Sequence, residues 1–187
     1  MARVVALTGS PFPPARVAVA SGHTESRILY VTDLRRAGTV AEALDPIPPV
    51  LPNRSGEITV LTETTDYLGG PILATQAAEI AARPVTHNGR TRARTWTILP
   101  LQTAPGDRIG DSEWKADVSR RVILSALVSL GLAGRLKIRP SLPLAAAFQD
   151  GLASLRQRRT MEEEELNPNE DIALAVALCA WYVAVTV

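Results

Sequence analysis

Cysteine, histidine and lysine are nearly missing from this chain of 187 residues, and each scarcity closes off a class of chemistry. The lone Cys179, inside the apolar run Ala177-Leu178-Cys179-Ala180, leaves no disulfide framework and no thiolate metal cluster, and reads as a small buried hydrophobe. His23 and His87 stand far apart with no Cys or His at ligand spacing, so no structural zinc site is expected. Only Lys115 and Lys137 among the 20 basic residues are lysine, and the formal net charge is +1. Such a balance creates no global field for nucleic acid or anionic membrane, so any basic site must be local. There is no Gly-x-x-x-x-Gly-Lys-[Ser/Thr] loop, and Gly69-Gly70-Pro71 is too short for a dinucleotide fingerprint. Nucleotide-driven work by this chain is therefore not expected. Nor does any serine sit in a nucleophile elbow.

Long apolar runs are lacking as well. Val4-Val5-Ala6-Leu7 is too short for the hydrophobic region of a signal peptide and soon meets Pro11-Phe12-Pro13-Pro14. Residues 172–187 fall short of the roughly 20 that a bilayer span requires, and they follow directly on Glu170-Asp171, so they read as a buried core helix. A cytoplasmic protein with no membrane partner is expected.

What the chain does have is 46% hydrophobic residues, enough for one sizeable core in a single domain spanning 1–187. β-rich runs at 4–8, 15–21 and 27–33, the last after a Gly22-His23-Thr24-Glu25 turn, predict an antiparallel meander. Residues 39–44 predict a short helix capped by Thr39, ended by Pro46, Pro48, Pro49 and Pro52. A fourth strand at 57–63, with the apolar centre of a strand buried on both faces, leads into a helix at 71–82 opened by Pro71. A fifth strand is expected at 84–87 and another short one at 95–99. Helices follow at 114–131, 142–157 and 170–184, with an edge strand at 135–139. This order of elements matches an α/β ribonuclease-H-like fold, a mixed β-sheet flanked by helices.

The carboxylates carry the chemical reading. A two-metal phosphodiesterase holds two Mg²⁺ or Mn²⁺ ions about 4 Å apart with Asp and Glu oxygens. In a ribonuclease-H-like sheet these come from the first strand, the end of the fourth strand and the start of a late helix. Here the fourth strand ends in Glu63 with Asp66 close behind, the late helix opens with Glu170-Asp171, and the first strand offers Thr8 where an acid is wanted.

Four segments carry a family resemblance: Thr64-Thr65-Asp66-Tyr67-Leu68-Gly69-Gly70-Pro71-Ile72; Trp114-Lys115-Ala116-Asp117-Val118; Gly134-Arg135-Leu136-Lys137-Ile138; and the run Asn169-Glu170-Asp171-Ile172-Ala173-Leu174-Ala175-Val176-Ala177-Leu178-Cys179-Ala180-Trp181-Tyr182. With the N-terminal strands included, nearly the whole chain resembles the nuclease domain of the tailed-phage terminase large subunit, the DNA-packaging motor, without that family's ATPase half. The resemblance implies a divalent-metal-dependent endonuclease with Glu63, Asp66, Glu170 and Asp171 as catalytic metal ligands. It also implies Lys115 as a phosphate contact, with Arg90, Arg92 and Arg94 beside double-stranded DNA, and phage packaging or assembly proteins as partners. The chain departs from the family where Thr8 replaces the first acid and Thr64 aligns with the second, so weakened or lost cleavage is expected. The alternative is a non-catalytic DNA- or protein-binding module on the same fold. The plainer reading of the acids is helix capping and dipole compensation. Alternating Arg90-Arg92-Arg94 and Arg135-Lys137-Arg139 suit either a phosphate backbone or a charge-protected edge.

Overall fold

A computed structural model describes residues 2–10, 16–47, 57–64, 69–87, 90–104, 116–157 and 167–186. The first three strands, β1 (Ala2–Ser10), β2 (Arg16–Glu25) and β3 (Ile28–Ala37), form the expected antiparallel meander. Its second turn differs from expectation. Gly22 lies within β2 at a register shift against β3, where any Cβ would stand 2.5 Å from the Tyr30 carbonyl oxygen, and His23 stacks on Tyr30 across the strands at 5.0 Å. The glycine marks a bulge, and the chain reverses at Ser26 and Arg27.

After α1 (Val40–Leu44), whose first turn is capped by the Thr39 hydroxyl, comes β4 (Ile58–Thr64), parallel to β1. Next are α2 (Gly69–Ala82) and a two-stranded ribbon of β5 (Val85–His87) and β6 (Arg90–Arg92). The expected fifth strand at 84–87 is thus not in the main sheet. The Asn88-Gly89 dipeptide is a two-residue hairpin signal, and His87 pairs with Arg90 across it. The place beside β4 goes to β7 (Trp96–Ala104), parallel and longer than the run at 95–99 suggests. The expected helix at 114–131 also divides. Residues 116–119 extend the sheet as β8 (Ala116–Ser119), and α3 (Arg120–Leu132) begins where the Ser119 hydroxyl accepts from Arg121 N–H at 3.2 Å. β9 (Leu136–Ile138) pairs with β3 as an edge strand, α4 (Ala145–Gln157) follows, and α5 (Pro168–Thr186) comes last.

The architecture is α/β, with a mixed seven-stranded sheet in the order β8-β7-β4-β1-β2-β3-β9. Alternation along each strand divides two cores. Val5, Leu7, Val17, Val19, Ile58 and Val60 face α1 and α2, whereas Val4, Ala6, Ala18, Ala20 and Leu61 face α3, α4 and α5. The small side chains on the second face let α5 come close, and residues 170–180 of that helix are all buried. α5 is long and apolar enough to cross a membrane by length and composition, yet it is packed as the central core helix. Cys179 is buried there, its thiol pushed up to about 12 by desolvation, which fits an inert packing role.

α4 meets the start of α5 at a backbone-to-backbone approach, since a Cβ on Gly151 would lie 1.9 Å from the Asn169 carbonyl oxygen. Gly151→Ala is therefore expected to destabilise the fold by about 1–3 kcal/mol, the usual cost of overpacking a closed contact. Gly131→Ala, inside α3 with open space around it, should instead stabilise by up to about 1 kcal/mol. Urea denaturation of both variants measures the contrast; equal effects would refute the close-approach argument.

Candidate functional site

Three of the residues singled out in the sequence meet at one end of the sheet. Thr8 lies one step beyond the Leu7↔Thr62 pair of β1 and β4, level with Glu63, and both side chains are fully buried. By alternation they share the face of Ala6 and Leu61, which α5 covers. The first turn of α5 comes down on them, and the Thr8 hydroxyl donates to the Asp171 carbonyl oxygen at 2.8 Å. Asp171 as a residue is 9% exposed, and its carboxylate lies near Gly9, with Oδ2 3.8 Å from where a Cβ on that glycine would be. Gly9 has φ +103°, and its missing side chain admits the Arg16 carbonyl oxygen to 2.1 Å from the same point. Only glycine suits that conformation and that contact.

Asp171 holds its proton far above the ordinary carboxylate range, to about 7. Burial is the largest cause, followed by repulsion from Glu63; Arg16 opposes it, Glu170 adds to it, and Arg36 opposes it again. Glu63 and Asp171 thus form an acidic pair flanked by cations, although 108 positions separate them in sequence.

Glu170 does different work. Asn167 caps α5, its Oδ1 accepting from the N–H groups of Asn169 and Glu170, both at 3.0 Å. In return Glu170 Oε2 accepts from Asn167 N–H at 2.8 Å, which completes a capping box, and Oε1 accepts from the Ser154 hydroxyl of α4 at 2.6 Å. Arg36 ties β3 to the same turn through Asn169 Oδ1 at 2.7 Å and the Pro168 carbonyl at 3.1 Å. Both carboxylate oxygens of Glu170 thereby hold the start of the helix and its neighbour. Asp66 and Lys115 lie outside the described residues, as do the side chains of Arg90 and Arg92. Arg94 is turned onto the Trp96 ring at 4.4 Å, a cation–π contact within its own strand region. Among the described residues no three His, Cys, Asp or Glu side chains are grouped to hold a metal ion.

Sequence reasoning missed Gly9, Arg16, Arg36, Gly151 and Ser154. The Asn167-Pro168-Asn169-Glu170 spacing is a capping signature and was available to be read. The contributions of the others depend on contacts between distant segments. Compared with protein-family models and with curated proteins, the chain matches none of either.

Folded Asp171 retains its proton up to about pH 7, whereas in the unfolded chain it releases it near 4. Between those values the folded state binds more protons, so this residue makes stability fall as pH rises, and its effect levels off above about 7. Asp171→Asn, which has no charge to desolvate, is expected to gain about 2–4 kcal/mol on the wild type between pH 4 and pH 8. Urea unfolding across that range is the measurement, and parallel profiles for the two proteins would exclude a buried titrating Asp171.

Proposed function

We propose that this chain is a ribonuclease-H-like domain of the terminase-nuclease type whose acidic centre has been reduced to a Glu63–Asp171 pair, with DNA cleavage weak or lost. The observation that carries the reading is the convergence of the end of β1, the end of β4 and the first turn of α5 on one buried acidic point. Further support is the strand arrangement, with an antiparallel meander β1-β2-β3 and parallel β4 and β7 on the other side of β1. The setting would be phage DNA packaging and processing, in the cytoplasm of a host cell.

A pair of Mg²⁺ or Mn²⁺ ions needs several anionic oxygens to offset their mutual repulsion. The described carboxylates offer too few. Glu63 and Asp171 meet, Thr8 is a neutral hydroxyl directed at a carbonyl, and Glu170 is bonded to Ser154 and Asn167. This donor set does not fit two ions. The same commitments favour the second reading, a module that keeps the nuclease fold for binding DNA or protein. Exposed Arg135, Lys137 and Arg139 on and beside β9 supply cations for such a surface.

Incubation with supercoiled plasmid and Mn²⁺, alongside an Asp171→Ala control, tests the proposal. Little or no nicking by either protein is expected. Efficient nicking that Asp171→Ala abolishes would establish an active nuclease and overturn the loss of function. On the binding-module reading, duplex binding should weaken steeply with salt, and neutralising Arg135, Lys137 and Arg139 together should reduce the slope.

A further inference from the structure

Strand register lines up four side chains across the main sheet. Lys137 on β9 pairs with Tyr30 on β3, Tyr30 with His23 on β2, and His23 with Arg3 on β1. Directly paired residues share a face, and Val5, two residues beyond Arg3, puts this row on the side of α1 and α2. The acidic pair lies on the opposite face, at the other end of β1. The His23 and Tyr30 rings are stacked, 5.0 Å between centroids and 11° from parallel. Gly22 admits the Tyr30 carbonyl oxygen, which a Cβ would meet at 2.5 Å, so the backbone itself brings the two strands to this approach. Both rings and Arg3 are half-buried, and Lys137 is exposed. Cross-strand ring pairs stabilise sheets, and this one also turns part of its surface to solvent between two cations. Acids of the same face are Asp33, which acts on Arg3 but is itself paired with Arg35 at 2.7 Å, and Glu25 at the exposed end of β2.

We propose that this row is a binding platform for single-stranded nucleic acid. An unpaired base extends the stack of His23 and Tyr30, while Arg3 on one side and Lys137 on the other meet the phosphates before and after it. Three strand spacings separate the two cations, about 14 Å at roughly 4.8 Å each. Every base has a π-face, so the platform tolerates any sequence, whereas a duplex keeps its bases stacked inside and offers mainly phosphates. That difference selects a single strand over a duplex. Arg139, exposed two residues beyond Lys137, prolongs the cationic side. The inference rests on the binding-module reading, to which it adds the form of nucleic acid, and it uses no residue of the acidic centre.

Fluorescence anisotropy of the full chain with a labelled octathymidylate, and with a hairpin duplex carrying the same label, tests it. The single strand should bind at least tenfold more tightly than the duplex, and thymidine monophosphate should compete only weakly. Tyr30→Leu should weaken the single strand about tenfold with the salt slope unchanged, and Tyr30→Phe should retain binding. Arg3→Gln and Lys137→Gln should each lower the slope by about 0.7. A merely structural role would not divide the variants in this way. Irradiation of the wild type with a 5-iodouracil-substituted oligonucleotide needs no variant to fold, and its adducts should map to Tyr30 or His23. Absence of single-strand binding, equal or tighter binding of the duplex, equal competition by the monophosphate, unchanged affinity in Tyr30→Leu, or adducts confined elsewhere would overturn the proposal. Duplex binding that depends on Lys137 but not on Tyr30 would overturn it and leave the binding-module reading standing.

Discussion

The seating of the first turn of α5 on the ends of β1 and β4 is the contact on which the rest of the molecule depends. A helix buried along residues 170–180 carries Glu170 and Asp171 of its first turn out of water, so their polar atoms need partners within the protein. Asn167 and Glu170 satisfy one another, Ser154 fixes Glu170 to α4, Arg36 reaches over from β3, and Thr8 bonds the Asp171 carbonyl. Four separate segments are joined at one turn. Gly151 and Gly9 permit it sterically, because side chains there would meet the backbone.

That dense local bonding reshapes the acidic centre. A carboxylate is equally suited to holding a metal ion and to capping a helix, and geometry decides between the two. Glu170 is spent on the cap, and Thr8, a neutral donor, is spent on a carbonyl. Glu63 and Asp171 are left facing each other in a dry setting where two negative charges repel strongly, and the proton retained by Asp171 relieves that repulsion. The helix N-terminus and Arg16 supply positive potential on the same side. The centre is thus compensated from within the chain, which is a different solution from a cluster of acids awaiting divalent ions.

Much of the fold was legible from local pattern. β-rich runs marked β1 to β3 and a continuous apolar centre marked β4, a capping threonine marked α1, and a long apolar run directly after Glu170-Asp171 marked α5. The failures have identifiable causes. Gly22 reads as a turn residue by composition, but a glycine that makes room for a carbonyl across a bulge has the same composition. Residues 116–119 share the apolar period of α3, and only pairing with β7, which local pattern does not encode, makes them a strand. Asn88-Gly89 announced a hairpin that would have removed 84–87 from the main sheet. For the site, Glu63 and Asp171 came under suspicion through resemblance and not through spacing, because no local rule connects residues 108 apart. The dual character of Glu170 is present in its N-x-x-E spacing, because the same carboxylate suits a helix cap and a metal ion.

The position of α5 in chain order has a bearing on how the molecule comes into being. Every strand that this helix covers is synthesised before it, so during translation the Val4, Ala6, Ala18, Ala20 and Leu61 face of the sheet lacks its central helix. The emerging chain then has one finished core under α1 and α2 and a second in which α3 and α4 still lack the helix they pack on, a form prone to association with its own kind or to capture by chaperones. Final cohesion arrives in one step when the last helix docks, and its capped first turn is the part that must find its seat among segments already folded.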